Sequence, residues 1–122
     1  MPADYRIDRA ARVVYSRAWG VLTDQDLVDN RVALFTDPAF APEFNQLYDL
    51  SAVTEIRVTS PALLQLSLSS RFAPSSRRAV VVSSDVAFGM ARMYAILTGH
   101  EETVQVFRDR ASAVGWLEAA RG

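Results

Sequence analysis

Two kinds of periodicity share this chain. Residues 5–8 (Tyr-Arg-Ile-Asp) and 13–19 (Val-Val-Tyr-Ser-Arg-Ala-Trp) alternate apolar and polar positions, the two-residue repeat of half-buried strands. The polar link 9–12 is short enough for a hairpin, so these strands are expected to pair antiparallel, with Gly20 ending the second. Thr23 then offers a capping hydroxyl, and Asp24 and Asp26 fall in a first helical turn, where the dipole favours negative charge. Leu27, Val28, Arg31, Val32, Leu34 and Phe35 follow at helical spacing. Asp37-Pro38 stops that helix, because the residue before a proline avoids the helical region. The loop 38–44 carries Phe40 and Phe44, whose rings are expected to fold back onto the core.

A short third strand is predicted at 47–50. Ser60-Pro61 opens the next helix, with Ser60 as the cap and proline where no amide donor is needed. Leu63, Leu64, Leu66 and Leu68 give that helix a wide apolar face, and the serine- and proline-rich stretch 69–76 ends it. Residues 79–82 (Ala-Val-Val-Val) read as a central strand covered on both faces. Ser83-Ser84-Asp85 caps a third helix running to about Thr98, with Gly99 as its C-cap. Residues 104–107 form the last strand, and Asp109 caps a final helix with Ala113, Val114, Trp116, Leu117 and Ala120 as apolar positions. The order β-β-α-β-α-β-α-β-α defines an α/β fold with a mixed five-stranded sheet and four helices. Its last three strands are parallel and joined by right-handed crossovers.

Composition narrows the function classes. At 122 residues the chain makes one domain, residues 1–122, with no room for two cores. All 13 basic residues are arginine and the net charge is −1, so no basic stripe points to nucleic acid. The lack of lysine removes Schiff-base and P-loop chemistry, and the lack of cysteine removes thiolate catalysis, disulfides and thiolate metal sites. The N-terminus is too polar for a signal peptide, and the longest strongly apolar run, 79–82, is far shorter than a membrane span. A soluble, cytoplasmic protein with no membrane association is the expectation.

The stretch Asp49-Leu-Ser-Ala-Val-Thr-Glu-Ile-Arg-Val-Thr-Ser60 carries a family resemblance. It is similar to the strand-loop-helix switch of STAS domains, the SpoIIAA-like anti-anti-sigma proteins, whose pattern reads roughly Asp-Leu-Ser-x-Val-x-x-Ile-Asp-Ser-Ser-Gly. Asp49, Leu50, Ser51, Val53 and Ile56 match it. Arg57 stands at the family's aspartate, Val58 at its phosphorylated serine and Ser60 at its glycine. A phosphoryl acceptor needs a hydroxyl at the helix N-terminus, and Val58 has none. Thr59 and Ser60 follow it, and Ser60 is more simply a cap. Phe72-Ala-Pro74, Arg78-Ala-Val80 and Asp85-Val-Ala-Phe-Gly-Met-Ala-Arg-Met93 look like a divergent, uncharacterised bacterial branch of SpoIIAA-like proteins. The resemblance implies a non-catalytic regulatory or protein-interaction module for signalling, not phosphorylated at the usual position.

Each candidate residue has a plainer reading beside its functional one. Asp49 and Ser51 sit at the carboxyl end of a strand expected to be parallel, where open α/β sheets bind ligands, or they form a local turn. Arg71, Arg77, Arg78 and Arg92 are an anion patch or solvated charges paired with Asp85, Glu101 and Glu102. In the third helix, Val86, Met90, Met93, Tyr94 and Leu97 are expected to face the core, leaving Phe88 and Arg92 partly exposed as a homodimer or partner surface. Alternatively Phe88 packs under the 38–44 loop. His100 with Glu101 and Glu102 reads as an exposed loop rather than a metal site, and Asp24, Asp26 and Asp29 as helix-start charges rather than an acid-base pair.

The interaction surface is therefore placed on Asp49, Ser51, Arg57, Thr59, Ser60, Phe88 and Arg92, with no cofactor and no metal. STAS folds are also similar to CRAL-TRIO lipid carriers, which gives an alternative: a small-ligand or lipid-binding domain with Phe40, Phe44, Met90 and Met93 around an apolar pocket. An enzyme is the remaining alternative, but no nucleophile-base-orienter set is visible.

Overall fold

Strands in this protein lie side by side in the order in which the chain makes them. The computed structural model describes residues 2–119, so the expected apolar contact of Ala120 falls outside the described residues. The elements are β1 (Ala3–Asp8), β2 (Val13–Thr23), α1 (Asp24–Phe35), β3 (Asn45–Arg57), α2 (Ser60–Leu68), β4 (Arg78–Val81), α3 (Asp85–Thr98), β5 (Val104–Phe107) and α4 (Arg110–Ala119). The sheet order is β1-β2-β3-β4-β5. β1 and β2 are the antiparallel hairpin, turned at Arg12 with φ 60° and fastened by the Ala11 amide donating to Asp8 Oδ1 at 2.9 Å. Every other neighbouring pair is parallel, including β2 with β3.

That order decides the layering. Parallel strands added one after another in a single direction, with right-handed crossovers, bring all the crossover helices to the same face. Accordingly α1, α2 and α3 cover one face, and α4, which follows the last strand, covers the other. The two faces are read from alternation. Leu47, Ala79 and Val81 point to α4 and pack on Ala113 and Leu117. Val14, Leu22, Leu50 and Val82 point to the three-helix side. There they split into two apolar clusters. One is built on Leu22, Leu50, Val82, Ala87 and Ala91, and the other on Val14, Leu34, Phe35, Phe44 and Phe72. The loop rings do fold back: Phe35, Phe40 and Phe72 meet with centroids 5.1–5.6 Å apart, each pair adding about 0.5–1.5 kcal/mol beyond area burial.

Three local expectations change. β3 runs through Arg57 instead of ending at Leu50, and β2 runs through Thr23 instead of ending at Gly20. Each strand is the other's partner along this extension, so ladder hydrogen bonds hold a segment whose own residues read as loop. Gly20, with φ 67° at a register shift, bends β2 as a bulge does and does not terminate it. The α2 cap is Thr59, not Ser60: the Thr59 hydroxyl accepts from the Ala62 amide, and Ser60 and Pro61 occupy the first turn. Thr59 also donates through its amide and hydroxyl to Asp24 at 2.8 and 2.7 Å, tying α2 to the start of α1. The caps at Thr23, Ser84, Gly99 and Asp109 are where the sequence places them.

The third change concerns α3. Its buried stripe is Ala87, Ala91 and Ala95, so the helix lies close to the sheet on small side chains. Val86, Met93 and Leu97, expected in the core, are exposed. Met90 and Tyr94 are half-buried at the flank of the stripe.

Candidate functional site

Between the two apolar clusters of the three-helix face the sheet carries polar residues. The inward rows read Val14-Ser16-Ala18 on β2, Gln46-Tyr48-Leu50 on β3 and Arg78-Val80-Val82 at β4. Strand register sets Ser16 beside Tyr48 and Gln46 beside Arg78. Above this patch α1 contributes Asn30 and Arg31, α2 contributes Leu63 and Leu66, and α3 contributes Met90 and Tyr94. The alanine stripe lets α3 approach the sheet, while the larger side chains beside it hold the layers apart. A partly open cavity with about 80 Å³ accessible to the centres of water-sized molecules results.

Hydrogen bonds order its walls. The Asn30 side-chain amide donates to the Tyr48 hydroxyl at 3.0 Å, and Gln46 donates to Ser16 Oγ at 3.1 Å. Arg31 donates to the Tyr94 hydroxyl at 2.7 Å and, from its other terminal nitrogen, to the Leu66 carbonyl. Arg78 is only 4% exposed; its Nε reaches the Ser76 carbonyl at 3.5 Å, and its guanidinium lies 5.5 Å from the Phe72 ring centroid. Burial pushes the Arg78 pKa down, the charge of Arg31 pushes it further, and the Tyr94 phenol beside it offsets part of this. Burial likewise raises the Tyr48 phenol.

No carboxylate lines the cavity, and among the described residues neither Arg31 nor Arg78 has an ion-pair partner. The carboxylate that acts on Tyr48 is Asp26, whose Oδ2 is held by the Thr23 amide and hydroxyl at 3.0 and 2.8 Å in the α1 capping box.

The sequence-predicted surface is not assembled as one site. Asp49 faces the α4 side, opposite the cavity; its Oδ1 accepts from the Ser51 amide and hydroxyl at 2.9 and 2.6 Å and its Oδ2 from Arg110 at 3.1 Å. Ser51 in turn is met at its carbonyl by the Ser83 hydroxyl at 2.9 Å. Arg57, paired with Glu55, stands eight residues along the same strand, about 26 Å away at strand rise. Thr59 and Ser60 follow it in the chain. Phe88 is half-buried against the Leu22–Leu50 cluster, not under the 38–44 loop, and the Arg108 guanidinium covers it at 4.4 Å. Arg92 is half-buried on the same helix.

The expected arginine patch is also dispersed. Arg71 bonds the Phe35 carbonyl, Arg77 bonds the Trp116 carbonyl at 3.0 Å and stacks on its ring, and Arg78 is inside. Of the four residues expected around an apolar pocket, Met90 lines the cavity; Phe40 and Phe44 belong to the Phe35 cluster and Met93 is exposed. His100, Glu101 and Glu102 are exposed, and among the described residues no His/Asp/Glu group is arranged to hold a metal ion.

What sequence reasoning missed was Ser16, Asn30, Arg31, Gln46 and Tyr48. A signal for part of this existed. Ser16, Gln46 and Arg78 are polar residues at inward positions of strands, and three such positions in adjacent strands mark an interior polar patch.

The fold defined by this order and layering is SpoIIAA-like, a STAS-like α/β domain. In agreement, the chain is similar over 94% of its length, and over 93% of the other chain, to an uncharacterised protein of the DUF3478 family with a SpoIIAA-like fold from Shewanella loihica, with a TM-score of 0.61 and 21% identity. At that identity the likeness is one of fold. No family model and no curated protein matches the sequence. No helix among the described residues is long and apolar enough to cross a membrane.

Asp49 predicts a pH effect. Burial favours its neutral form, but the bonds from Ser51 and the Arg110 pair outweigh burial and hold its pKa below the ordinary carboxylate value. A carboxyl depressed in the fold stabilises above its unfolded pKa, near 4, and loses that contribution as pH falls through the folded value. Asp49→Asn is therefore expected to be about 1 kcal/mol less stable than wild type at pH 7, with the gap closing at lower pH. Urea titrations at both ends of that range check it, and a gap independent of pH rejects it.

Proposed function

We propose that this domain is a non-catalytic binding protein that takes a small molecule into the cavity between the sheet and α1–α3. The observation that carries this reading is the buried guanidinium of Arg78, with the half-buried Arg31 on the same wall, in a cavity without a carboxylate. Burying a cation without a carboxylate partner costs several kcal/mol that the contacts of Arg78 only partly return, and such a group in a cavity marks a candidate binding site. The remaining lining is largely apolar, with Leu27, Leu50, Leu63, Leu66, Val80 and Met90, as small-molecule sites commonly are. Nothing around it assembles a nucleophile, a base and an orienting group, which supports binding over catalysis.

Amide chemical shifts on titration with small organic fragments test this. The expected result is perturbation centred on Tyr48, Val80, Met90 and Tyr94. Shifts confined to the outer helix surfaces, or none, count against it.

Protein docking is a second reading, in line with the regulatory role that the STAS resemblance implies. It is favoured by the outer face of α2 and α3, where Leu64, Leu68, Val86, Met93 and Ile96 are exposed, Leu68 by 71% and Val86 by 68%. Sedimentation velocity of wild type and Ile96→Glu over a concentration series tests self-association through this face. A dimer that forms in the wild type and is lost in the variant supports it; two monomers remove it. Phosphorylation at the family's serine position has no place in either reading, because Val58 carries no hydroxyl.

A further inference from the structure

We propose that the cavity ligand is a small amphipathic carboxylate, its head seated between Arg78 and Arg31 at the Tyr94 hydroxyl and its short hydrocarbon tail among the leucines. This rests on the reading of the cavity as a binding site and names the chemistry it selects.

Charge is the first argument. Two guanidinium groups share the wall of one cavity, with no anion among the lining residues to balance them. A single negative charge between them offsets both the desolvation of Arg78 and its repulsion by Arg31. A guanidinium offers parallel N–H donors, and the planar two-oxygen acceptor that matches this fork is a carboxylate.

The seat is already marked. Arg31 donates to the Tyr94 hydroxyl at 2.7 Å, and Arg78 lines the same cavity as this phenol, near enough for it to act on the Arg78 charge. Arg31 is held by its second bond to the Leu66 carbonyl, and Arg78 by Phe72 and Ser76. An incoming carboxylate meets donors fixed beforehand, which lowers the ordering cost of binding.

Lining and size select the rest of the molecule. Leu27, Leu50, Leu63, Leu66, Val80 and Met90 present hydrocarbon. Inorganic phosphate would satisfy the charges and leave that surface bare, and an alcohol would cover the surface and leave the charges unbalanced. At roughly 10–15 Å³ of centre volume for each water-sized sphere, 80 Å³ holds about five to eight such units. That suits a short-chain or single-ring acid, not a two-chain lipid.

The experiment is calorimetric titration of the full chain with hexanoate, 1-hexanol and inorganic phosphate, in wild type and in Arg78→Met. Hexanoate is expected to bind wild type at least about tenfold tighter than hexanol, the increment of a charge-assisted hydrogen bond, and phosphate not measurably. In Arg78→Met the acid should lose its advantage while hexanol still binds. Hexanol binding wild type as tightly as hexanoate overturns the carboxylate assignment and leaves the cavity as a binding site. Phosphate competing as well as hexanoate also overturns it. Binding of none of the three overturns both the assignment and the cavity reading. The wild-type comparison alone is decisive where the variant does not fold.

Discussion

Leu22→Ala is expected to destabilise the domain by about 2–5 kcal/mol, the largest single loss we anticipate. Leu22 is fully buried, on the part of β2 beyond Gly20, and belongs to the cluster with Leu50, Val82, Ala87 and Ala91. Its neighbours there are two strands and the alanine stripe of α3, all fixed by their own ladder or helix bonds. They have little freedom to collapse into the space left behind, so the cavity cost adds to the lost transfer energy. For a domain of this size, with total stability of about 5–15 kcal/mol, that is a large share. Equilibrium urea unfolding measures it. A loss under about 1 kcal/mol would mean that the outer half of β2 is not packed as described, and that α3 is not held against the sheet by this cluster.

The same residue shows how much the sequence could tell. Element order, the class of fold and most helix caps were legible, because alternation, capping hydroxyls and proline positions act locally. The sequence does not assign Leu22, because Gly20 reads as a strand end and only the pairing of Trp19–Thr23 with Ala52–Arg57 makes it a bulge. The stretch from Ser51 to Arg57 failed for the same reason: polar residues without a clear period become strand when a neighbouring strand supplies the ladder. The α3 stripe failed differently. Periodicity gives a helix several possible inward faces, and the choice of Ala87, Ala91 and Ala95 over Val86, Met93 and Leu97 is set by how closely the helix approaches the sheet. The cavity was half legible. Arg78 and Tyr94 both stand out in the sequence, one as part of a surface patch and the other as core. Their meeting with Arg31 on the wall of one cavity, across separations of 16 and 63 residues, depends on tertiary structure alone.

Arg78→Met should make the ligand-free protein more stable, by about 1–3 kcal/mol, even as it removes the carboxylate preference. A buried cation costs several kcal/mol in desolvation, and what repays it here is small. The Phe72 ring returns about 0.5–2 kcal/mol, the Tyr94 phenol offsets part of the rest, the Ser76 contact at 3.5 Å is long, and no carboxylate contributes. The sign of the pKa shift agrees. A base whose pKa is lowered in the fold binds its proton less well there than in the unfolded chain, so at every pH below the ordinary arginine value the charge works against folding. Methionine fills a similar volume with an unbranched apolar chain and leaves no charge to solvate. Urea unfolding at neutral pH, without ligand, measures the gain; a loss of more than about 1 kcal/mol would show that the fold itself neutralises Arg78. Hexanoate should then separate the two proteins. Ligand at about 100 times its Kd stabilises a binding-competent protein by about 2.7 kcal/mol, so the wild type should recover most or all of the difference while the variant gains far less. A residue that weakens the empty protein and strengthens the filled one is the thermodynamic signature of a site kept for its ligand, and an arginine kept only for packing would show neither effect.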